Sequence, residues 1–203
     1  MKRLTKQERE DIQKGKVREL RRFFYRKKLV IGIDLGTQIT GLYGEEFNSQ
    51  IINPKHPDRN ARIFDIHNAL KNFLTNVDYL HTVVFMEDYS YGLMHSSLAQ
   101  VAELAGVVKN LLFSLEIPCL LVAPLTLKKF VLGPKQATPK ASHKSRIMVE
   151  VLDRWGVKFT DDNACDAYCL YRFGNAFISF IKNPDIKKEW EQKMFLDFIV
   201  NRT

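Results

Sequence analysis

Apolar residues in this chain follow two patterns: short continuous runs, and longer stretches with a 3.6-residue period. Residues 29–34 (LVIGID) and 82–87 (TVVFME) are nearly all apolar and end in an acid, the pattern of strands covered on both faces. ITGLYG (39–44) and the run around residues 50–52 predict two further short strands, with a turn near 45–48, so that the first three strands form an antiparallel meander. CLLVA (119–123) is a further strand. Between 58 and 76, Ile63, Ile66, Ala69, Leu70 and Phe73 share one helical face. Over 95–115, Leu98, Val101, Ala102, Leu104, Ala105, Val108, Leu111 and Leu112 make a stripe wide enough to cover a sheet and also meet a partner. Helices are also predicted over 5–27, from Pro124 to about 131, over 144–154 and 162–181, and after Pro184. The segment 133–143 (GPKQATPKASH) has the content of a loop. A meander followed by strands alternating with helices predicts an α/β fold, a mixed sheet flanked by helices, with a helical extension at its start.

A chain of 203 residues with 45% hydrophobic and 27% charged residues supports one core and lacks the composition of a disordered protein. No run approaches the ~20 apolar residues of a membrane span. The first 28 residues lack a signal peptide's apolar core, and Glu8, Glu10, Asp11 and Glu19 set them apart from acid-poor transit peptides. The expectation is a protein that stays in the cytoplasm where it is made. Cys119, Cys165 and Cys169 cannot all pair with one another and lie in apolar segments, as thiols acting as small hydrophobes in a reducing interior do. Cys165 and Cys169 stand four apart, with no second Cys/His pair to complete a zinc site.

The net charge of +8 is confined to one end. Residues 1–28 hold 12 Lys and Arg against 4 Asp and Glu, while the other 175 residues hold 19 of each. A basic segment on a neutral body suits a polyanion, because each cation laid on a phosphate releases condensed counterions. A solvated helix that serves solubility has the same composition.

Three acids interrupt apolar runs far apart in sequence. Asp34 closes the first strand, Glu87 closes the 82–87 strand, and Asp166 follows Ala164 and precedes Ala167 and Tyr168 on a helix. An ionised carboxylate among apolar neighbours is costly unless paired or bound to a cation. Converging carboxylates favour hard divalent ions, and a pair of such ions ~3.5–4 Å apart clamps the attacking and leaving oxygens of a phosphodiester.

Taken together, IGIDLGTQITG (31–41), VVFMEDYSYG (83–92), LTLKKFVLG (125–133) with KASHKSRI (140–147), and DDNACDAYCLY (161–171) resemble the motifs of the RuvC family of Holliday-junction resolvases. The similarity is greatest to the small versions carried by bacteriophages and other viruses. The family lies within the RNase H-like superfamily, and the resemblance extends over about residues 29–177. It implies an RNase H-like nuclease domain over 29–182, preceded by the basic extension 1–28 and followed by a C-terminal helix over 183–203. It further implies a crossover junction endonuclease acting as a homodimer on four-way DNA. Asp34, Glu87 and Asp166 would bind two Mg²⁺ ions, with Mn²⁺ as a substitute, and Lys128 and Lys144 would stand near the scissile phosphate. Tyr89, Tyr91, Lys128, Lys140, Lys144 and Arg146 are the implied DNA contacts, and neither a membrane nor a nucleotide cofactor is implied. Phage origin, and action in the bacterial cytoplasm, follow from the same resemblance.

Two departures stand out. Where many relatives carry an acid three residues before the last Asp, this chain has Asn163 preceded by Asp161 and Asp162, which leaves Asp162 or Asn163 as the fourth ligand. Where some relatives place an aromatic wedge three residues after the strand-end Glu, this chain has Ser90, with Tyr89 and Tyr91 beside it. Two other readings compete. IGIDLGT also resembles the first phosphate loop of actin-like and sugar-kinase ATPases, but the chain has about half their length and no Gly-Gly. A RuvC-like module that binds DNA without cutting it is the third reading, and Asn163 speaks for it.

Overall fold

The computed structural model describes the backbone of residues 6–88, 96–134, 144–184 and 188–200, and side chains over 14–88, 99–134, 146–184 and 188–200. The chain forms two compact units, a larger one from Lys28 to Gly174 and a smaller one made by the chain before and after it. The helices and strands follow the predicted pattern closely, because each is encoded by local apolar periodicity.

In the larger unit, β1 (Leu29–Asp34), β2 (Thr40–Gly44), β3 (Asn48–Ile52), β4 (Thr82–Glu87) and β5 (Cys119–Val122) form one sheet of order β3-β2-β1-β4-β5. The meander β1-β2-β3 is antiparallel, while β4 runs parallel to β1 and β5 parallel to β4. This is the mixed sheet flanked by helices that the pattern predicts. β1 is central, so its apolar run is covered on both faces.

Side-chain alternation sorts the two faces. Ile31 and Ile33 of β1 and Val84 and Met86 of β4 enter a core with residues of α2 (Arg59–Leu74) and α3 (Ser96–Ser114), among them Ile66, Leu70, Leu104 and Val108. Asp58 caps α2, accepting from the Ala61 amide at 2.8 Å, and an Arg59–Glu103 ion pair joins α2 to α3. The α3 stripe is mostly absorbed by this core: Leu104, Ala105, Val108, Leu111 and Leu112 are buried, whereas Phe113 is 84% exposed.

The opposite face of the sheet is covered by the first half of α6 (Asp162–Lys182) and by α4 (Pro124–Leu132) and α5 (Lys144–Trp155). Phe173 of α6 meets Phe85 of β4 at 6.1 Å and Phe130 of α4 at 5.4 Å, and Phe130 stacks on Trp155 of α5. Arg154 Nη1 donates to the carbonyls of Phe130 (2.6 Å) and Val131 (3.3 Å), which ties α5 to the end of α4. Gly133 ends α4 with a φ of 82°, a conformation open to glycine. Of the predicted 133–143 loop, residues 135–143 lie outside the described residues.

The smaller unit contains α1 (Lys6–Phe24), the second half of α6, and α7 (Glu189–Val200). Its core is aromatic. Phe24 meets Phe177 edge-on at 5.7 Å, Phe177 contacts Phe195 and Phe198 at 5.7 and 5.1 Å, and Phe180 lies 5.3 Å from Phe195. Among the described residues no helix is long and apolar enough to cross a membrane, and none of the three cysteines forms a disulfide.

Candidate active site

Ile33 of β1 lies beside Met86 of the parallel neighbour β4, so Asp34 and Glu87 follow one residue later at the carboxyl ends of adjacent strands. Ligand sites in open α/β sheets lie outside these strand ends. Because Ile33 and Met86 face α2 and α3, alternation turns Asp34 and Glu87 to the opposite face, beneath α6. Both are half-buried.

The third acid reaches the same place because α6 lies directly on the strands. A methyl group added at Gly32 would collide with the Ala167 carbonyl oxygen and stand 2.6 Å from the Tyr171 amide nitrogen. At Gly41 of β2 it would collide with the Asn163 carbonyl. Two strand glycines thus let the helix backbone approach closely, and Asp166 lies on the stretch between these contacts.

A cleft of about 280 Å³ opens there, lined by Glu87 and Asp166, by Pro124, Leu127, Lys128 and Val131 of α4, by Ile147 of α5, and by Cys169. Glu87, Asp166 and Lys128 therefore share one cavity. Asp34 joins them electrostatically at Cys169. A hydrogen bond with Cys165, burial, electrostatic coupling to Cys165, and the nearby carboxylates of Asp166 and Asp34 push the Cys169 thiol well above the ordinary thiol range. Cys169 is the wall of the cleft that its sequence context does not announce. The available signal is its position three residues after Asp166, on the same helical face.

The start of α6 separates the three polar residues before Asp166. Asp161 is the N-cap, its carboxylate accepting from the Ala164 amide at 2.9 Å and its carbonyl from the Cys165 amide at 3.2 Å. Asp162 opens the helix, and Asn163 Nδ2 donates to Asp162 Oδ1 at 3.2 Å. Asp162 and Asn163 stand four and three residues before Asp166, so both border its face of the helix.

The turn that follows Asp34 is fastened from two sides. Arg62 of α2 donates from Nε to the Thr37 carbonyl (3.2 Å) and from Nη1 to those of His56 (3.0 Å) and Pro57 (2.8 Å). Thr40, fully buried, donates its hydroxyl to the Gly36 carbonyl at 2.9 Å. Of the remaining predicted site residues, Arg146 is exposed on α5 next to Ile147, and Lys144 is the first residue of that helix, its side chain outside the described set. Tyr89, Tyr91 and Lys140 lie outside the described residues.

Among the described residues no group of three or more His, Cys, Asp and Glu side chains is arranged to hold a metal ion as it stands. The donor chemistry nevertheless fits a hard divalent ion, since the acids of this region offer carboxylate oxygens and the nearest thiol is held protonated.

The raised thiol has a consequence for stability. A group whose pKa is higher in the folded state binds more protons there, so its contribution is complete below the unfolded thiol pKa of about 8.5 and is lost as pH rises above it. Tyr43, Tyr168 and Tyr171, raised chiefly by burial, act in the same sense from about pH 10. Urea unfolding across pH 7.5–10 is expected to show stability falling above about pH 8.5, with a shallower fall in Cys169→Ala. Parallel slopes for the two proteins would contradict this placement of the thiol.

No family model matches the chain, and no curated protein matches it in sequence. Among solved structures it is similar to Thermus thermophilus RuvC in complex with a Holliday junction substrate, with TM-score 0.56 and 20% identity over 70% of this chain and 90% of that one. A second T. thermophilus RuvC structure gives TM-score 0.55 and 18% identity over 71% and 91%. The RuvC resemblance carried by the motifs is thus matched by a RuvC-like fold. At this identity the likeness is one of fold, and function is argued from the site.

Proposed function

We propose that this protein is a metal-dependent, structure-selective endonuclease that resolves four-way DNA junctions. The observation that carries the reading is the cleft shared by Glu87, Asp166 and Lys128, with Asp34 at the end of the strand next to that of Glu87, on a RuvC-like fold. Asp34, Glu87 and Asp166 hold the metal, with Asp162 or Asn163 as a further oxygen donor. Two Mg²⁺ or Mn²⁺ ions bound there supply Lewis-acid chemistry for hydrolysis of a phosphodiester. In that reaction the oxygen of water forms a bond to phosphorus and the bond to the 3′ oxygen breaks, leaving a 5′-phosphate and a 3′-hydroxyl. Lys128 neutralises charge developing on the phosphate, and Lys144 has the same role. Tyr89, Tyr91, Lys140 and Arg146 contact the DNA around the crossover. A junction has near two-fold symmetry and needs opposed cuts, which a symmetric homodimer provides. The exposed Phe113 on α3 supports that helix as its interface. The setting we propose is the bacterial cytoplasm, with a phage as the source.

The test is cleavage of a labelled immobile four-way junction beside matched duplex, fork and flap DNA, with Mg²⁺, with Mn²⁺ and with chelator. Paired symmetric nicks near the crossover that require metal are expected. Preferred cutting of forks or flaps would change the substrate and keep the chemistry. Tight binding without cutting in either metal would favour the binding-module reading, for which Asn163 is the residue that speaks.

A further inference from the structure

The smaller unit holds the charge that the larger one lacks. Over residues 1–27 and 175–203 there are 16 Lys and Arg against 8 Asp and Glu, compared with 15 of each over 28–174. Its helix α1 has two faces. Val17, Leu20 and Phe24 recur at helical spacing, Phe24 is fully buried against Phe177, and Arg21 Nε donates to the Ile181 carbonyl at 3.0 Å. Lys14, Arg18 and Arg22 are exposed at four-residue spacing, about 6 Å of rise apart. Arg26, also exposed, follows just beyond the helix end.

Large rings stand in water among these cations, Tyr25 at 75% and Phe23 at 48% exposure. Among the described residues neither Arg18, Arg22 nor Arg26 takes part in a salt bridge, and over residues 14–24 of α1 Glu19 is the one acid, Glu8, Glu10 and Asp11 lying in the first half of the helix. A helix face kept for solubility usually interleaves both signs and few aromatic rings. Over residues 14–26 this face is of nearly one sign, and Tyr25, three residues after Arg22, stands on it, with Phe23 exposed at its side.

We propose that this face of α1 is a second DNA-binding surface, in which Lys14, Arg18, Arg22 and Arg26 bind backbone phosphates and Tyr25 stacks on an unpaired base. The choice of DNA as the polyanion rests on the nuclease reading above. An anionic membrane fits less well, because surface-lying helices insert an apolar face into lipid and the apolar stripe of α1 is occupied within its own unit. The basic segment is therefore a helix anchored by Phe24, and removing it would expose that aromatic core. Charge removal on the intact chain is the cleaner test.

The full-length protein and the triple variant Arg18→Gln/Arg22→Gln/Arg26→Gln are titrated with fluorescent duplex and four-way junction in chelator across a salt series. With three fewer phosphates neutralised, the slope of log Kobs against log salt is expected to become shallower by about 2.7, with the thermal midpoint and the turnover at saturating junction unchanged. An unchanged slope overturns the proposal. Should the triple variant lose its fold, Arg26→Gln, beyond the helix end, is read in the same way for a change of about 0.9. Tyr25→Ala is expected to weaken single-strand and junction binding with no change of slope, and equal affinity removes the stacking role. Phosphatidylserine vesicles bound by the parent and not by the triple variant, with equal DNA slopes, would overturn the proposal in favour of a membrane surface. Binding is read without metal, so a parent protein that never cuts DNA would refute the nuclease reading and leave this test intact.

Discussion

Asp34→Asn is expected to lower junction cleavage about 10³-fold, the upper end of the range for losing one group that stabilises transition-state charge, while junction binding in chelator stays near that of the parent. The variant keeps the size of the side chain at the end of β1 and leaves the turn secured by Arg62 and Thr40 in place. What it removes is one hard, charged donor beside Asp166 and Glu87. A readout independent of turnover separates loss of metal from loss of fold. An ion that binds only the folded state adds stability according to its concentration over Kd, about 2.7 kcal/mol at a hundredfold excess. Mg²⁺ should therefore raise the thermal midpoint of the parent and leave that of Asp34→Asn nearly unmoved. Equal cleavage by variant and parent would sink the assignment of Asp34, and an equal Mg²⁺ shift would move the metal elsewhere.

Gly32→Ala is the second large effect, and its sign opposes that of an ordinary glycine replacement. A methyl there meets the Ala167 carbonyl and the Tyr171 amide, which are partners four apart in the α6 ladder. Both obstacles are backbone, so relief requires α6 to lift from the central strand. Overpacking of this kind costs about 1–3 kcal/mol and sometimes more; we expect the upper end, a fall in the thermal midpoint of roughly 10 °C. Cleavage should fall with it, because Asp166 is carried on the helix that is lifted. Gly106, on α3, has nothing within 4 Å of an added methyl, and Gly106→Ala is expected to stabilise by about 0.5–1 kcal/mol. Thermal melts of both variants decide the matter: a Gly32→Ala midpoint equal to that of the parent would mean that α6 does not depend on this close approach.

Strands and helices were legible because their signals are local. A run such as VVFM or a stripe such as Leu104, Val108 and Leu111 encodes its own element. Asp34, Glu87 and Asp166 could be singled out for a related reason: an acid amid apolar residues is conspicuous in one dimension, and the motif order tied the three together. The charge of the first 28 residues was equally plain.

Other features depend on which distant residues come to face one another. Cys169 read as an inert small hydrophobe, and it becomes a wall of the cleft only when α6 is laid across strands far away in sequence. Asp162 and Asn163 stood as alternatives in the string, with Asp161 before them; the start of α6 makes Asp161 the cap and leaves the other two beside Asp166. The basic segment read as an arm, and the burial of Phe24 against Phe177 makes it part of a packed unit. Periodicity and composition are set by neighbours along the chain, so the sequence by itself determined the elements and the place of the charge, and it made three acids conspicuous as candidates. Close backbone approach at Gly32 and Gly41, the lining of the cleft and the covered face of α1 come from contacts between residues remote in sequence, and only the tertiary structure decided them.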